Sequence, residues 1–352
     1  MYRRFAAAAA RLPFPAGRGG PILDRPAGRC GPRGPVAPVP PTPRAAVTHA
    51  PPAPPGAAPA AGGPGPNHPG PGGGEFAKLA AGRRDVDLTA VALEIAADHD
   101  PGCDFATVDA WLDARAREVR GRVAGADDDR AVLEALADVL CGEHGLCGGD
   151  AVFGDPASSF LHEVIETGTG LPIALSLVYL DVARRVGVPL RGVSSPHHFL
   201  CRLDPAGGDV SPGGNTAPAL FCDPYHGGAV LEEDEAVEFL MSRCDLAPAE
   251  IADSLRPAPP RAVAVRFLNN LKAAFVRAGD WRGAWPVQHR LAALCPADYR
   301  ERRDLALVAL HADKPGQALD LLDALLPLAP DEERETLREH RDRAVADLAK
   351  WN

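Results

Sequence analysis

The sequence has no CxxC pair among its eight cysteines, which stand at 30, 103, 141, 147, 201, 222, 244 and 295. That spacing excludes zinc-ribbon and thioredoxin-type chemistry. Cysteines scattered through a chain of this length behave as small core hydrophobes in a reducing compartment, which points to the cytoplasm. No run of 18 apolar residues is present, so no transmembrane helix is expected. No HExxH or comparable ligand spacing is present either, and neither a metal nor another cofactor is expected. Acidic residues are nearly missing from residues 1–83, which hold ten basic and two acidic side chains, a net of +8. The rest of the chain carries 27 basic and 45 acidic residues, a net of −18. An acidic body argues against nucleic acid as a partner.

What is present divides the chain. Residues 1–74 contain 19 of the 37 prolines and 14 of the 36 glycines, too little apolar surface to offset the entropy of ordering. Residues 1–83 read as a disordered tail. Its start, MYRRFAAAAARLPF, is basic and acid-poor, which would suit an organellar targeting segment in a eukaryotic cell. Residues 84–155 read as a helical lead-in. Leu88, Val91, Ala92 and Ile95 mark one helix face, Val108, Leu112, Val119 and Val123 a second, and Val132, Leu133, Leu136, Val139 and Leu140 a third. Ser158 or Ser159 is the expected N-cap of the helix FLHEVIE.

Residues 156–250 read as the core. The stretch GLPIALSLVYLDVARRVGVP at 170–189 is apolar on nearly every side, the mark of a helix buried in the middle of a domain. Pro172 suits its first turn and Gly187 its end. Strands are expected at about 190–195, 197–203 and 219–223, giving an α+β core in which a central helix lies against an antiparallel sheet. On the second strand the alternation of side chains places His198, Leu200 and Arg202 on one face and Cys201 on the other. By the same rule Cys222 points away from Asp223.

Residues 251–352 read as helices with an internal offset of 34. Ala284 and Ala318, Leu291 and Leu325, Leu294 and Leu328, and Pro296 and Pro330 coincide, at the tetratricopeptide length. Only about two such units fit, so these helices are expected to pack on the core, and Pro286 falls inside one of them.

A helix start followed by strands carrying His198 and Asp223 is the order of parts in a papain-like or transglutaminase-like site. The chain resembles the transglutaminase-like superfamily, and within it the bacterial SirB-type family, over residues 85–350. The resemblance rests on SSFLHEVIE at 158–166, on the central-helix stretch, on PHHFLCR at 196–202 and on FCDPYHGG at 221–228. RFLNNLKAAF at 266–275 and YRERRDLALV at 299–308 extend it. The family usually has Asn where this chain has Ser158, and glycine where it has His197. The resemblance implies a nucleophilic cysteine in a G-x-C motif at the helix start, with a G-x-P about fifteen residues past the cysteine. Here Gly170-Leu171-Pro172 occupies the motif, so the nucleophile's place falls to Pro172 while His198 and Asp223 match the base and its orienting acid.

Two functions follow. One is a non-catalytic binding or regulatory protein whose cleft, with His197, Glu163 and Tyr225, and whose helical repeats receive a protein or peptide partner. The other is an atypical hydrolase or amide-transforming enzyme in which His198 and Asp223 act with water or with Ser176, one helical turn beyond Pro172. Cys201 and Cys222 are expected in the core, Ser176 is open to the bland role of bonding back to its own helix, and His162 or His226 would join His198 only through the tertiary fold. His198 and Asp223 could equally be a structural pair that ties two strands together.

Overall fold

The computed structural model describes residues 74–205 and 218–350. The segment 1–73, which falls in the stretch read above as a disordered tail, and the connection 206–217 lie outside the described residues. A short helix α1 (Glu75–Ala80) buries Phe76 and Leu79, so the tail ends earlier than residue 83. Composition hides this helix because the Gly/Pro run stops only at Gly74. Helix α2 (Leu88–Ala97), α3 (Phe105–Val123) and α4 (Asp129–Ala137) follow. Asp87, Asp104 and Asp128 cap them, each side chain accepting from N–H groups of the first turn. Such a cap stabilises a helix by about 1 kcal/mol. A π-turn over Asp138–Glu143 continues α4.

Two 3-10 turns, Asp150–Gly154 and Pro156–Ser159, precede α5 (Leu161–Thr167). Neither Ser158 nor Ser159 caps α5. Its N-cap is Phe160, and the two serines belong to the 3-10 turn that Asp155 caps.

The central helix α6 (Pro172–Val186) begins on a proline, whose missing N–H costs nothing in a first turn. It ends at Gly187 in the left-handed region, φ 87°, where Val188 N donates to Ala183 O at 2.9 Å. Residues 172–179 are all buried. The charge on this helix is handled at one end: Asp181 accepts from Arg185 Nε at 2.7 Å, and Arg185 Nη2 reaches Asp109 of α3 at 2.6 Å.

Strands β1 (Arg191–Val193), β2 (Leu200–Leu203), β3 (Leu220–Asp223) and β4 (Ala229–Leu231) form one antiparallel sheet in that order. Gly192, Cys201, Cys222 and Val230 stand opposite one another across it. A Cβ at Gly192 would meet the buried Phe199 ring at 2.8 Å, so any other residue there would have to displace that ring. The row with Cys201 and Cys222 faces α6. The alternate row, with Leu200 and Phe221, faces α7 (Glu233–Met241) and α8 (Pro248–Ser254), where Ala236, Leu240, Ile251 and Leu255 complete a second apolar cluster.

Helices α9 (Pro260–Ala278), α10 (Trp281–Leu294), α11 (Tyr299–His311), α12 (Pro315–Leu325) and α13 (Asp331–Ala349) close the chain, each packing on the next. Pro286 does not interrupt α10. Phe267, Leu271, Phe275, Ala284 and Leu291 join the same apolar core as the lead-in helices and α6. Arg290 of α10 binds Asp98 and donates to Glu94 O at 2.9 Å. Of the residues 34 apart, Ala284, Ala318, Leu291 and Leu325 are all buried, whereas Leu294 is buried and Leu328 is 57% exposed. Among the described residues no helix is long and apolar enough to cross a membrane.

Candidate functional site

Asp223 is the last residue of β3 and the cap of the 3-10 turn Pro224–His226. Its Oδ1 accepts from Tyr225 N at 3.1 Å and His226 N at 3.3 Å. Gly227 and Gly228 then turn the chain back with φ 75° and 78°, and Gly228 N donates to Asp223 O at 2.8 Å. Gly228 is doubly constrained, since a Cβ would lie 2.4 Å from Ala137 Cβ.

His198 sits in a loop between β1 and β2, not on a strand running from 197. Ser195 Oγ donates to His198 O at 3.1 Å, and Arg266 of α9 reaches in to bond Ser194 Oγ at 3.1 Å and the Ser195 carbonyl. The chain makes this bend at His197, whose φ of 57° lies in the left-handed region. That geometry breaks the alternation expected over 197–203 and starts β2 only at Leu200. It also explains why glycine is the residue expected at 197: a side chain there is strained.

The two elements bring His198 Nε2 to 2.9 Å from Asp223 Oδ2, and a third group joins them, His226 Nδ1 at 2.7 Å from the same oxygen. Asp223 is 1% exposed and His198 4%. The His226 side chain is 42% exposed and forms the outer edge of the cluster. Burial pushes the Asp223 carboxyl up, but hydrogen bonds from His198 and His226 outweigh it and hold the group well below the usual carboxylate range. Asp223 is therefore an acceptor only, and both imidazole nitrogens aimed at it must carry hydrogen. Aromatic rings enclose His198. Phe239 of α7 packs edge-on at 5.2 Å between centroids and Tyr225 at 6.0 Å.

The other residues singled out by the sequence are dispersed. His197 is exposed, beside His198 in the chain. Tyr225 lies at the cluster, its hydroxyl donating to Gly149 O at 3.1 Å. Glu163, on α5, has His162 as its ion-pair partner at 3.7 Å, and Asp100 approaches the same ring nitrogen, Nε2, at 3.6 Å. Ser176 is fully buried on α6 and its Oγ makes no hydrogen bond among the described residues, neither to its own helix nor to His198. Its carbonyl receives the Cys201 thiol at 3.9 Å.

Cys201 and Cys222 both lie on the α6 side of the sheet, the opposite face from Phe239. Burial pushes the Cys201 thiol up to about 12 and the Cys222 thiol well above its usual value. Cys103 is pushed up to about 11 by burial and by neighbouring carboxylates. Cys147 is bridged by its backbone to Thr169 and Gly170 just before α6, and Cys141 Sγ lies against Gly227. Pro172, which the family resemblance sets against the thiol of the G-x-C pattern, is buried at the first position of α6.

The family model of the transglutaminase-like superfamily matches residues 106–269, a span that runs from α3 to α9 and holds the whole cluster. A UPF0162 protein of Xylella fastidiosa is 32% identical over 250 residues, covering 70% of this chain and 85% of the relative. A second, from Pseudomonas aeruginosa, is 30% identical over 268 residues, covering 70% of this chain and 93% of its own length. The chain belongs to the UPF0162 family. A shorter likeness, 41% over 71 residues, links it to F-box only protein 21 of Mus musculus, covering 20% of this chain and 11% of that protein.

His226 is the residue that the sequence reading left outside the cluster. The signal for it was local: Asp-Pro-Tyr-His puts an imidazole three residues past a turn-capping carboxylate, close enough to fold back onto it. With His226 in place, one ligand atom from each of His198, Asp223 and His226 lies within 4.8 Å of the others. Glu118, Glu143 and His144 form a second such group, which is largely exposed.

Proposed function

We propose that this is a SirB-type transglutaminase-like protein that performs no thiol chemistry and binds a protein or peptide partner through its C-terminal tetratricopeptide-like helices and the adjoining cleft. The observation that carries the proposal is the separation of the two sheet thiols, Cys201 and Cys222, from the imidazole. His198 is 4% exposed and packs on Phe239, while Cys201 and Cys222 face α6 with thiols raised by burial. A nucleophilic thiol needs a lowered pKa and a base within hydrogen-bond reach. Pro172 supplies no nucleophile at the head of α6, and Ser176 Oγ makes no bond to the imidazole. The hydrolase alternative needs an accessible His198 ring to activate water, and burial by Tyr225, His226 and Phe239 disfavours it.

The repeat reading is supported by Ala284 with Ala318 and Leu291 with Leu325, which keep equivalent buried positions one period apart. Stacked helical pairs of this type present an extended surface to partners.

The test uses the full-length chain as bait, with Leu328→Asp and Arg338→Glu as surface variants of the C-terminal helices. A specific protein retained by the native chain and lost from these variants, with folding intact, is the expected result. Retention of nothing would contradict the binding role, and incorporation of an amine into a glutamine peptide would contradict the loss of thiol chemistry.

A further inference from the structure

The retained dyad has gained a third member that hydrogen bonding does not require. Asp223 already accepts from two backbone N–H groups and from His198, enough to satisfy a buried carboxylate. His226 nevertheless directs Nδ1 to the oxygen that His198 already uses, at 2.7 Å. Two imidazole nitrogens and one carboxylate oxygen converge, one residue buried, one sealed beneath aromatics, and one open to solvent.

We propose that His198 Nε2, Asp223 Oδ2 and His226 Nδ1 bind a divalent first-row transition cation, of which zinc is the natural probe. Two neutral imidazoles and a carboxylate are the donors that such ions favour when three protein ligands leave further positions for water. Bond lengths of about 2.0–2.2 Å in a tetrahedral arrangement separate ligand atoms by roughly 3.3 Å. The present spacings of 2.9 and 2.7 Å are slightly tighter, so each ring needs to withdraw by only about half an ångström to admit the ion. His226 can do this because its side chain lies at the surface.

Binding requires a rearrangement of hydrogens. Without the ion both nitrogens must carry one to donate to the carboxylate; with it both must present lone pairs, and each neutral ring keeps its hydrogen on the other nitrogen. The remaining carboxylate oxygen stays fixed by Tyr225 N and His226 N, which orients the ligand in the manner of an outer coordination shell. Arg243, stacked 3.7 Å above the Phe239 ring, adds an opposing positive charge nearby. The site stands on these three side chains alone, whether or not the C-terminal helices receive a partner.

Full-length protein stripped with a chelator would be titrated with zinc by calorimetry, and with cobalt(II) by visible absorption, which reports the coordination geometry. One ion per chain is expected. His226→Ala should weaken it at least tenfold, by about the factor that loss of even a supporting group costs. Because His226 is exposed, the chelated variant should keep the native melting temperature, which separates ligand loss from misfolding. His144→Ala should leave the affinity unchanged. No binding by the native chain, binding that survives His226→Ala, or binding lost in His144→Ala would each overturn the assignment.

Discussion

The two faces of the four-stranded sheet differ in what they do with polar chemistry. On the α6 side, Cys201 and Cys222 stand opposite each other between Gly192 and Val230, enclosed in the main apolar core. On the α7 side, Leu200 and Phe221 give way at the strand end to Asp223, His198 and His226. One residue of register separates sulfur from carboxylate along β3, and that single step sends them to opposite faces. A thiol site needs its base, acid and nucleophile on the same side of the fold. Here His198 and Asp223 stand together, and the sheet thiols are buried on the opposite face.

The largest effect is expected at Asp223. Asp223→Ala leaves two imidazoles and two N–H groups without their acceptor and should cost roughly 3–5 kcal/mol, read from the urea midpoint. A loss below about 1 kcal/mol would mean that the buried network is not what orders this face. The same carboxylate sets an acid limit. Its folded pKa lies below the unfolded value, so its contribution is complete above the ordinary carboxylate value of about 3.9 and is lost as the pH falls below that toward the depressed folded value. Melting temperature followed from pH 6 to pH 2 should therefore fall more steeply in the native chain than in Asp223→Asn.

A smaller effect of opposite sign is expected at the bend that delivers His198. His197→Gly should stabilise the protein by about 1 kcal/mol by relieving the left-handed backbone, offset in part by glycine's freedom in the unfolded chain. Destabilisation would mean that the His197 side chain makes a contribution its exposure conceals. The smallest effect belongs to the exposed edge of the cluster. His226→Ala should change the stability read from the urea midpoint by less than about 1 kcal/mol, because the ring is 42% exposed and Asp223 keeps its bonds from His198 and two backbone N–H groups.

Much of this could be read from residues alone. Pro172 and Gly187 bound α6 at both ends, because a proline at the first helical position and a left-handed glycine at the last are local, sterically dictated signals. The alternation that separates Cys201 from Leu200 and Cys222 from Phe221 holds in the folded sheet. Other features were not legible. Strand β4 is only Ala229–Leu231, too short for a period-two pattern to register. Residues 197–199 looked like the start of a strand because nothing in a histidine announces a positive φ. Helices α7 and α8 escaped because they are short, nine and seven residues, too little for a 3.6-residue period to register, although Glu232 and Glu235 form a capping box that marks where α7 begins. Glu163, read from the sequence as a cleft residue, lies on α5 with His162 as its ion-pair partner, a matter of tertiary direction that spacing does not encode.

The separation of thiol from imidazole is tested most directly by alkylating the native full-length protein with iodoacetamide across a range of pH and mapping the rate at each cysteine. Every cysteine should react no faster than an ordinary thiol, with Cys201 and Cys222 protected until the protein unfolds. A cysteine that reacts far faster, through a group titrating well below the ordinary thiol value, and that slows when His198 is changed to Asn, would contradict the account.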